Sequence, residues 1–238
     1  MINIENLVKD KINKLWREYA DEEFCQFSPS SIAEVPDDGL IFIGINPSMI
    51  EKVRLRLIKK NDINCEFHKL IYDESKEYRY FKKFFDVAKK TEMNWGHIDI
   101  LYNRETKQKK VKELLKTKHG KDFLYKQCMI TKTVLDKLTN EKNPRIFIVT
   151  NSFARDLLGE HRKENEPIKA EHWIGYDFVW NNELGTYLYK NNPFFFSSML
   201  TGQRALDKGS YERLVWQINF VKNKLFAEST ICNGDYTK

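Results

Sequence analysis

The sequence predicts an α/β protein with three layers, α/β/α, around a central, mainly parallel four-stranded sheet. Three observations predict it. Wholly apolar runs of strand length recur, as in Leu40-Ile41-Phe42-Ile43 and Ile146-Phe147-Ile148-Val149, and runs without polar alternation mark strands buried on both faces. Segments with apolar residues at i, i+3, i+4 and i+7 lie between them. Strand and helix alternate along the whole chain without a linker or internal repeat, which implies a parallel sheet covered by helices. The 238 residues fit one domain, since single α/β domains often reach about 250.

Residues 4–19 carry Ile4, Leu7, Val8, Ile12, Leu15, Trp16 and Tyr19 on one helical stripe. Residues 1–35 therefore read as a helical N-terminal extension of a domain that ends near 228. Ser28-Pro29-Ser30-Ser31 and Pro36-Asp37-Asp38-Gly39 are loop and turn. The first core strand ends at Gly44, and helical spacing resumes at Met49, although residues 53–57 alternate as a strand would. A helix over 77–90 buries Phe81, Phe84, Phe85 and Ala88, and a short strand follows over 97–102. Residues 122–138 are helical until Asn143-Pro144 breaks the pattern, and residues 145–150 form the third strand. Asn151 can cap the helix Ser152–Leu158, with Gly159 at its C′ position. Residues 173–180 and 186–189 pair around Asn181-Asn182, residues 194–198 are the fourth buried strand, and 210–227 form the last helix. The polar residues 229–238 read as a flexible tail.

Composition excludes several classes. No apolar run approaches 18 residues, so no transmembrane helix is expected. Met1-Ile2-Asn3-Ile4-Glu5 lacks the basic and apolar regions of a signal peptide, and a cytoplasmic protein is expected. Cys25, Cys65, Cys128 and Cys232 form no Cys-x-x-Cys pair, and the five histidines have no ligand spacing. Neither a disulfide framework, a metal site nor an iron–sulfur cluster is expected, and no cofactor is implied. The formal charge is +6. Residues 107–121 hold seven lysines and one acid, Glu113, so this segment carries the whole surplus. It is either a solvated helix face or a phosphate-contacting patch that includes Lys109, Lys110 and Lys112. It follows the second strand and is expected to lead away from the strand ends.

Ligands of parallel sheets bind beyond the carboxyl ends of the strands, so four loops carry the functional question. In Gly44-Ile45-Asn46-Pro47-Ser48, Gly44 permits close approach and Pro47 turns Asn46 out of the helical region. Ser48-Met49-Ile50-Glu51 has the form of a capping box. Asn46 either satisfies backbone in a plain strand–turn–helix connection or lies rigidly at a site.

Gly-Ile-Asn-Pro-Ser after a buried strand resembles the first motif of the uracil-DNA glycosylase superfamily. It looks most like the mismatch-specific branch, whose motif reads Gly-Ile-Asn-Pro-Gly. Ile98-Asp99-Ile100-Leu101 resembles that family's second core strand, and residues 146–159 its third strand and helix. Phe196-Ser197-Ser198-Met199-Leu200-Thr201 lies where the family places His-Pro-Ser-Pro-Leu-Ser, with Phe196 at the His position. The likeness spans about residues 40–215. It implies a uracil-DNA glycosylase-like fold and a monofunctional, metal-free DNA glycosylase, with DNA as partner and a monomeric chain. Asn46, with Gly44 and Ser48 beside it, would orient a water and favour the sugar cation.

The other site candidates fall into two groups. Ile45, Pro47, Phe81, Asp99 and Ser198 would contact the base; Phe81, with Tyr80, either stacks on it or stays in the core. Met199, Leu200, Gln203, Arg204, Arg104 and the three lysines would contact DNA. Leu200 either wedges into the duplex or packs under the last helix, and Arg104 either pairs with Glu105 or faces the pocket. The target would be uracil or another mismatched or modified base. A hypermodified base of foreign DNA would make the protein a defence enzyme rather than a repair enzyme. The alternative is an inactive nucleic-acid- or nucleotide-binding module of the same fold.

Overall fold

The structure is a computed structural model and describes residues 1–49, 51–60, 67–70, 80–140, 145–159, 172–202 and 205–231. In chain order its elements are β1 (Ile2–Asn3), α1 (Ile4–Glu18), β2 (Ser30–Ile32), β3 (Glu34–Val35), β4 (Gly39–Gly44), α2 (Glu51–Lys60), β5 (His68–Leu70), α3 (Lys82–Thr91), β6 (Trp95–Asp99), α4 (Gln108–Glu113), α5 (Lys118–Asn140), β7 (Arg145–Val149), α6 (Ser152–Leu158), β8 (Val179–Asn181), β9 (Thr186–Tyr189), β10 (Asn192–Phe196) and α7 (Lys208–Ile231).

The central sheet has the order β6-β4-β7-β10-β9-β8. Its first four strands are parallel, and β9 and β8 continue it antiparallel. The expected four-stranded sheet is thus a six-stranded one, because the hairpin around residues 182–185 pairs with β10 instead of standing apart. What joins it is a two-residue turn at Lys190 and Asn191, both at positive φ, the geometry that matches the twist of a hairpin. Asn192 fixes this corner. Its Oδ1 accepts from Arg145 N at 2.9 Å, and its Nδ2 donates to the Thr139 and Lys190 carbonyls.

Alternation along each strand sends side chains to two layers. Leu40, Phe42, Ile146, Ile148 and Phe195 face α3 and α7, where Phe84, Val87, Leu214, Val215 and Ile218 cover them. Ile41, Ile43, Phe147, Val149 and Phe194 face α1, α5 and α6. The mixed α/β architecture with a mostly parallel sheet between helical layers is as the alternation of elements predicts. Residues 1–35 belong to this packing: Trp16 is fully buried, edge-on to Phe123 of α5 at 5.0 Å, and its indole N–H donates to Phe27 O. Ile2–Asn3 pairs with Glu34–Val35. Among the described residues no helix is long and apolar enough to cross a membrane.

Several boundaries move for physical reasons. The second core strand is Trp95–Asp99, not 97–102. Past Gly44 its neighbour β4 turns at Asn46-Pro47, and proline offers no N–H for the ladder. The Tyr102 and Asn103 N–H groups donate instead to Gln127 Oε1 of α5, at 2.7 and 3.2 Å. Residues 53–57 lie in α2, so helical spacing prevails there. That helix starts at Glu51, later than a capping box on Ser48 requires. Asn151 caps α6 as expected, accepting from Phe153 N and Ala154 N, and Gly159 closes it at φ +100°. The breaker Asn143-Pro144 lies outside the described residues.

Candidate active site

The parallel strands number 2-1-3-4 across the sheet in order of appearance, so the chain leaves β4 to one side and β7 to the other. The switch point lies between the carboxyl ends of β4 and β7, where open sheets form a crevice. Asn46 stands at the first of these ends and Asn151 at the second.

Register decides what lines the α3/α7 side of that edge. Gly44 pairs with Asp99, and Phe42 pairs with both His97 and Ile148. Thr150 and Ser197 continue their strands one residue further: Thr150 N donates to Ile43 O at 3.0 Å and Ser197 N to Val149 O at 2.9 Å. Small or polar residues therefore cap an apolar layer of Phe42, Ile148 and Phe195.

Asn46 is half-buried, and its Nδ2 lies 3.0, 3.1 and 2.7 Å from the carbonyl oxygens of Pro47, Asn103 and Glu105. Only an N–H donor fits against three carbonyls, so the amide has one orientation. Its Oδ1 accepts nothing among the described residues and remains available. Glu105 N returns a bond to Pro47 O at 3.0 Å, which ties the loop after β6 to the loop after β4.

Gly44 is required for a different reason. A Cβ there would fall 2.9 Å from His97 Nε2 and closer still to Asp99 Oδ1. Asp99 and His97 lie 3.7 Å apart, with side chains 12% and 5% exposed. Burial pushes the Asp99 carboxyl up to about 8 and the His97 imidazole down to about 3, so both favour their neutral forms. His97 stacks on Phe84 at 5.6 Å, with Phe81 and Tyr80 edge-on at 5.3 and 6.0 Å. Burial and the Asp99 carboxyl hold the Tyr80 hydroxyl well above the ordinary tyrosine range.

The other candidates divide. Ile45 is buried in the opposite layer, and its carbonyl is taken by Leu101 N at 2.8 Å, so it presents nothing to a base. Pro47 is buried with its carbonyl occupied. Ser48 and Ser198 are exposed. Phe81 is half-buried and touches His97, placing it beside Asp99 rather than beside Asn46. Leu200 is corrected from exposed wedge to core: it is 4% exposed and clusters with Tyr211, Leu214 and Val215. The half-buried Met199 keeps a surface position, and its carbonyl accepts from Leu206 N to close the loop. Gln203 and Arg204 lie outside the described residues. Phe196 points to the layer away from Gly44 and Asp99, packing on Phe178 and Tyr187 at 5.0 and 5.4 Å.

The basic segment does not lead away from this edge. Gln108 donates to Asn151 Oδ1 at 3.3 Å, Lys110 faces the Glu105 carboxylate at 3.9 Å, and the Lys112 ammonium sits 4.8 Å above the Phe153 ring. Lys109 is exposed. Glu105 pairs with Arg54 and Lys110, so of the two readings of Arg104 the pair with Glu105 does not form. Arg104 is half-buried with no ion-pair partner among the described residues, and burial lowers its guanidinium below the usual arginine range.

Two residues at this edge escaped the sequence reading. His97 is not among the site candidates named from the sequence, although His97-x-Asp99 on a strand opposite a glycine signals two polar groups on one face. Asn103 ends an apolar run. Its Oδ1 is buried with no hydrogen-bond partner among the described residues, and its carbonyl holds Asn46. A separate cleft of about 1340 Å³ follows the outer edge of β6, lined by Pro36, Phe81, Phe85, Met93, Gly96 and His97 among others. Asn46 does not line it.

No family model, curated protein or solved structure matches the chain. Among the described residues no group of His, Cys, Asp and Glu is arranged to hold a metal ion.

Proposed function

We propose that the chain is a monofunctional DNA glycosylase that hydrolyses the N-glycosidic bond of a flipped-out base. The observation carrying this reading is the locked amide of Asn46: three carbonyls hold Nδ2 and leave Oδ1 as an oriented acceptor at the switch point. Glycosidic cleavage passes through an oxocarbenium-like state. A carbonyl oxygen fixed before the reaction can position a water and face the developing sugar cation without reorganising. The short motif around Asn46, like that of the uracil-DNA glycosylases, supports the same reading. Lys112, over the Phe153 ring at the start of α6, and the exposed Lys109 would neutralise backbone phosphates, and extrusion of the base would bring its sugar to the strand ends. Uracil, a mismatched base or a modified pyrimidine, including a hypermodified base of foreign DNA, are the substrates this chemistry admits.

The test is incubation with oligonucleotides carrying each such base, followed by alkaline cleavage of abasic sites. Strand breaks made by the wild-type chain and lost in Asn46→Ala support the proposal. A second reading, an inactive nucleic-acid-binding module, is favoured by Phe196, which packs away from the site and supplies no donor to a leaving base. Binding without breaks on every substrate would select it.

A further inference from the structure

A departing base takes the electron pair of the broken bond and needs a proton or a strong hydrogen bond in exchange. With Phe196 turned toward Phe178, β10 supplies neither. We propose that Asp99 is the group that protonates the departing base. This inference rests on the glycosylase reading above.

The geometry carries it. Asp99 sits across from Gly44, two residues before Asn46 in the neighbouring strand, and the absence of a Cβ at Gly44 leaves room for its carboxyl. The carboxyl is almost enclosed, and no hydrogen bond from the described residues ends on it. A carboxylate deprived of both water and donors is strongly disfavoured, so the acid form persists near neutral pH. His97 Nε2 is buried and has no hydrogen-bond partner among the described residues, and 3.7 Å is beyond hydrogen-bond length. Transfer of the proton to His97 would bury two charges at once, which costs more than the attraction returns without further hydrogen bonds. The remaining titratable groups whose charge reaches Asp99 among the described residues are the partly exposed Tyr80, before α3, and the buried Tyr102, after β6, whose hydroxyl bonds Thr131 in the opposite layer; both favour their neutral forms. The Asp99 O–H thus has no acceptor among the described residues and is free for one that enters.

In the step itself the C1′–N bond breaks and its electron pair passes to the base. The Asp99 proton moves to a base oxygen or ring nitrogen, so the base leaves neutral. The water held by Asn46 adds to C1′, and the proton it sheds returns through solvent to the Asp99 carboxylate. The net reaction consumes one water and yields base and abasic DNA.

The experiment is single-turnover excision, from about pH 6 to pH 10, a span bracketing the raised carboxyl. Substrates carry uracil opposite guanine, uracil in a single strand, or 5-hydroxymethyluracil, and the proteins are wild type, Asp99→Asn and Asn46→Ala. Wild-type rates should fall about tenfold per pH unit above about 8. Asp99→Asn should be slower by about 10²-fold or more at neutral pH and lack that alkaline limb. An active wild type whose alkaline limb survives in Asp99→Asn overturns the role of Asp99 and leaves the glycosylase reading intact. No excision by the wild type on any substrate overturns that reading, and this inference with it. Carbon-13 titration of the wild-type carboxyl gives a check that needs no variant to fold: a protonated Asp99 at neutral pH supports the inference, and an ionised one overturns it.

Discussion

Asn46 Nδ2 stands 2.7 Å from the Glu105 carbonyl oxygen, so one side chain both terminates the central strand and fastens the loop after β6. An aspartate there would set a carboxylate oxygen against three carbonyl oxygens. Exchanging a made hydrogen bond for unmet acceptors costs about 1–3 kcal/mol. Asn46→Asp should therefore unfold at lower urea by that margin and should not excise faster. Wild-type stability in this variant would show that the amide does not hold the loop.

Gly44→Ala places a methyl within the space of the Asp99 carboxyl and the His97 ring. The His97 ring is hemmed in by Phe84 and Phe81, so it cannot retreat freely. Overpacking of this kind costs about 1–3 kcal/mol. Thermal melts should show that loss, with excision reduced alongside it; a melt matching the wild type would mean the strand ends yield easily.

The two buried ionisable groups give stability a defined pH dependence. The Asp99 carboxyl is raised to about 8 in the fold from 3.8 unfolded, so the fold binds its proton more tightly. Stability contributed by that proton is full below the unfolded value and is lost as pH rises toward 8. The His97 imidazole is lowered to about 3 from 6.5. It acts oppositely, and stability rises with pH across that window. The slopes cancel between about pH 4 and 6.5, and only the Asp99 decline remains above that. Denaturant titrations of Asp99→Asn should lack the decline between about pH 6.5 and 8; its persistence would assign the decline to other groups.

Leu200 and Met199 are neighbours with opposite expected phenotypes. Removing the buried Leu200 side chain leaves a cavity beneath α7, and Leu→Ala in a core costs about 2–5 kcal/mol. Met199→Ala, at a half-buried loop position, should change stability by no more than about 0.5 kcal/mol and weaken DNA binding. Equal and small stability losses in both would return Leu200 to the surface.

Lys109 isolates the electrostatic contribution, because it is exposed and makes none of the contacts that occupy Lys110 and Lys112. If it neutralises one duplex phosphate, Lys109→Ala should reduce the salt-dependence slope of binding by about 0.9. An unchanged slope removes this residue from the interface.

Local chemistry made much of this structure legible in advance. Asn151 and Gly159 bound α6 as their types dictate, because caps depend on neighbours within a few residues. The buried strands followed from runs such as Leu40-Ile41-Phe42-Ile43, which fit nothing but a two-sided interior. What escaped depended on distant partners. Strand β6 ends early because Gln127, some 25 residues later, takes the Tyr102 N–H. The hairpin joins the sheet because Lys190 and Asn191 turn tightly without a glycine, a signal weaker than Asn-Gly. At the candidate site the position of Asn46 was readable from Gly44 and Pro47, but its orientation was not. That is set by carbonyls on the loop after β6. The burial of Leu200 likewise depends on α7, and nothing within its own loop distinguishes it from Met199.

The strand that delivers Asn46 is hydrogen-bonded to a neighbour on each side, and all six of its residues are buried. Its amides are shielded from solvent by both neighbouring strands, whereas β8 is an edge strand of three residues with Val179 and Trp180 exposed. In native-state hydrogen exchange β4 should therefore be among the last segments to open and β8 among the first. The side chain on which the proposed chemistry depends follows two residues after that strand, so its aim should outlast local opening at the far edge of the sheet.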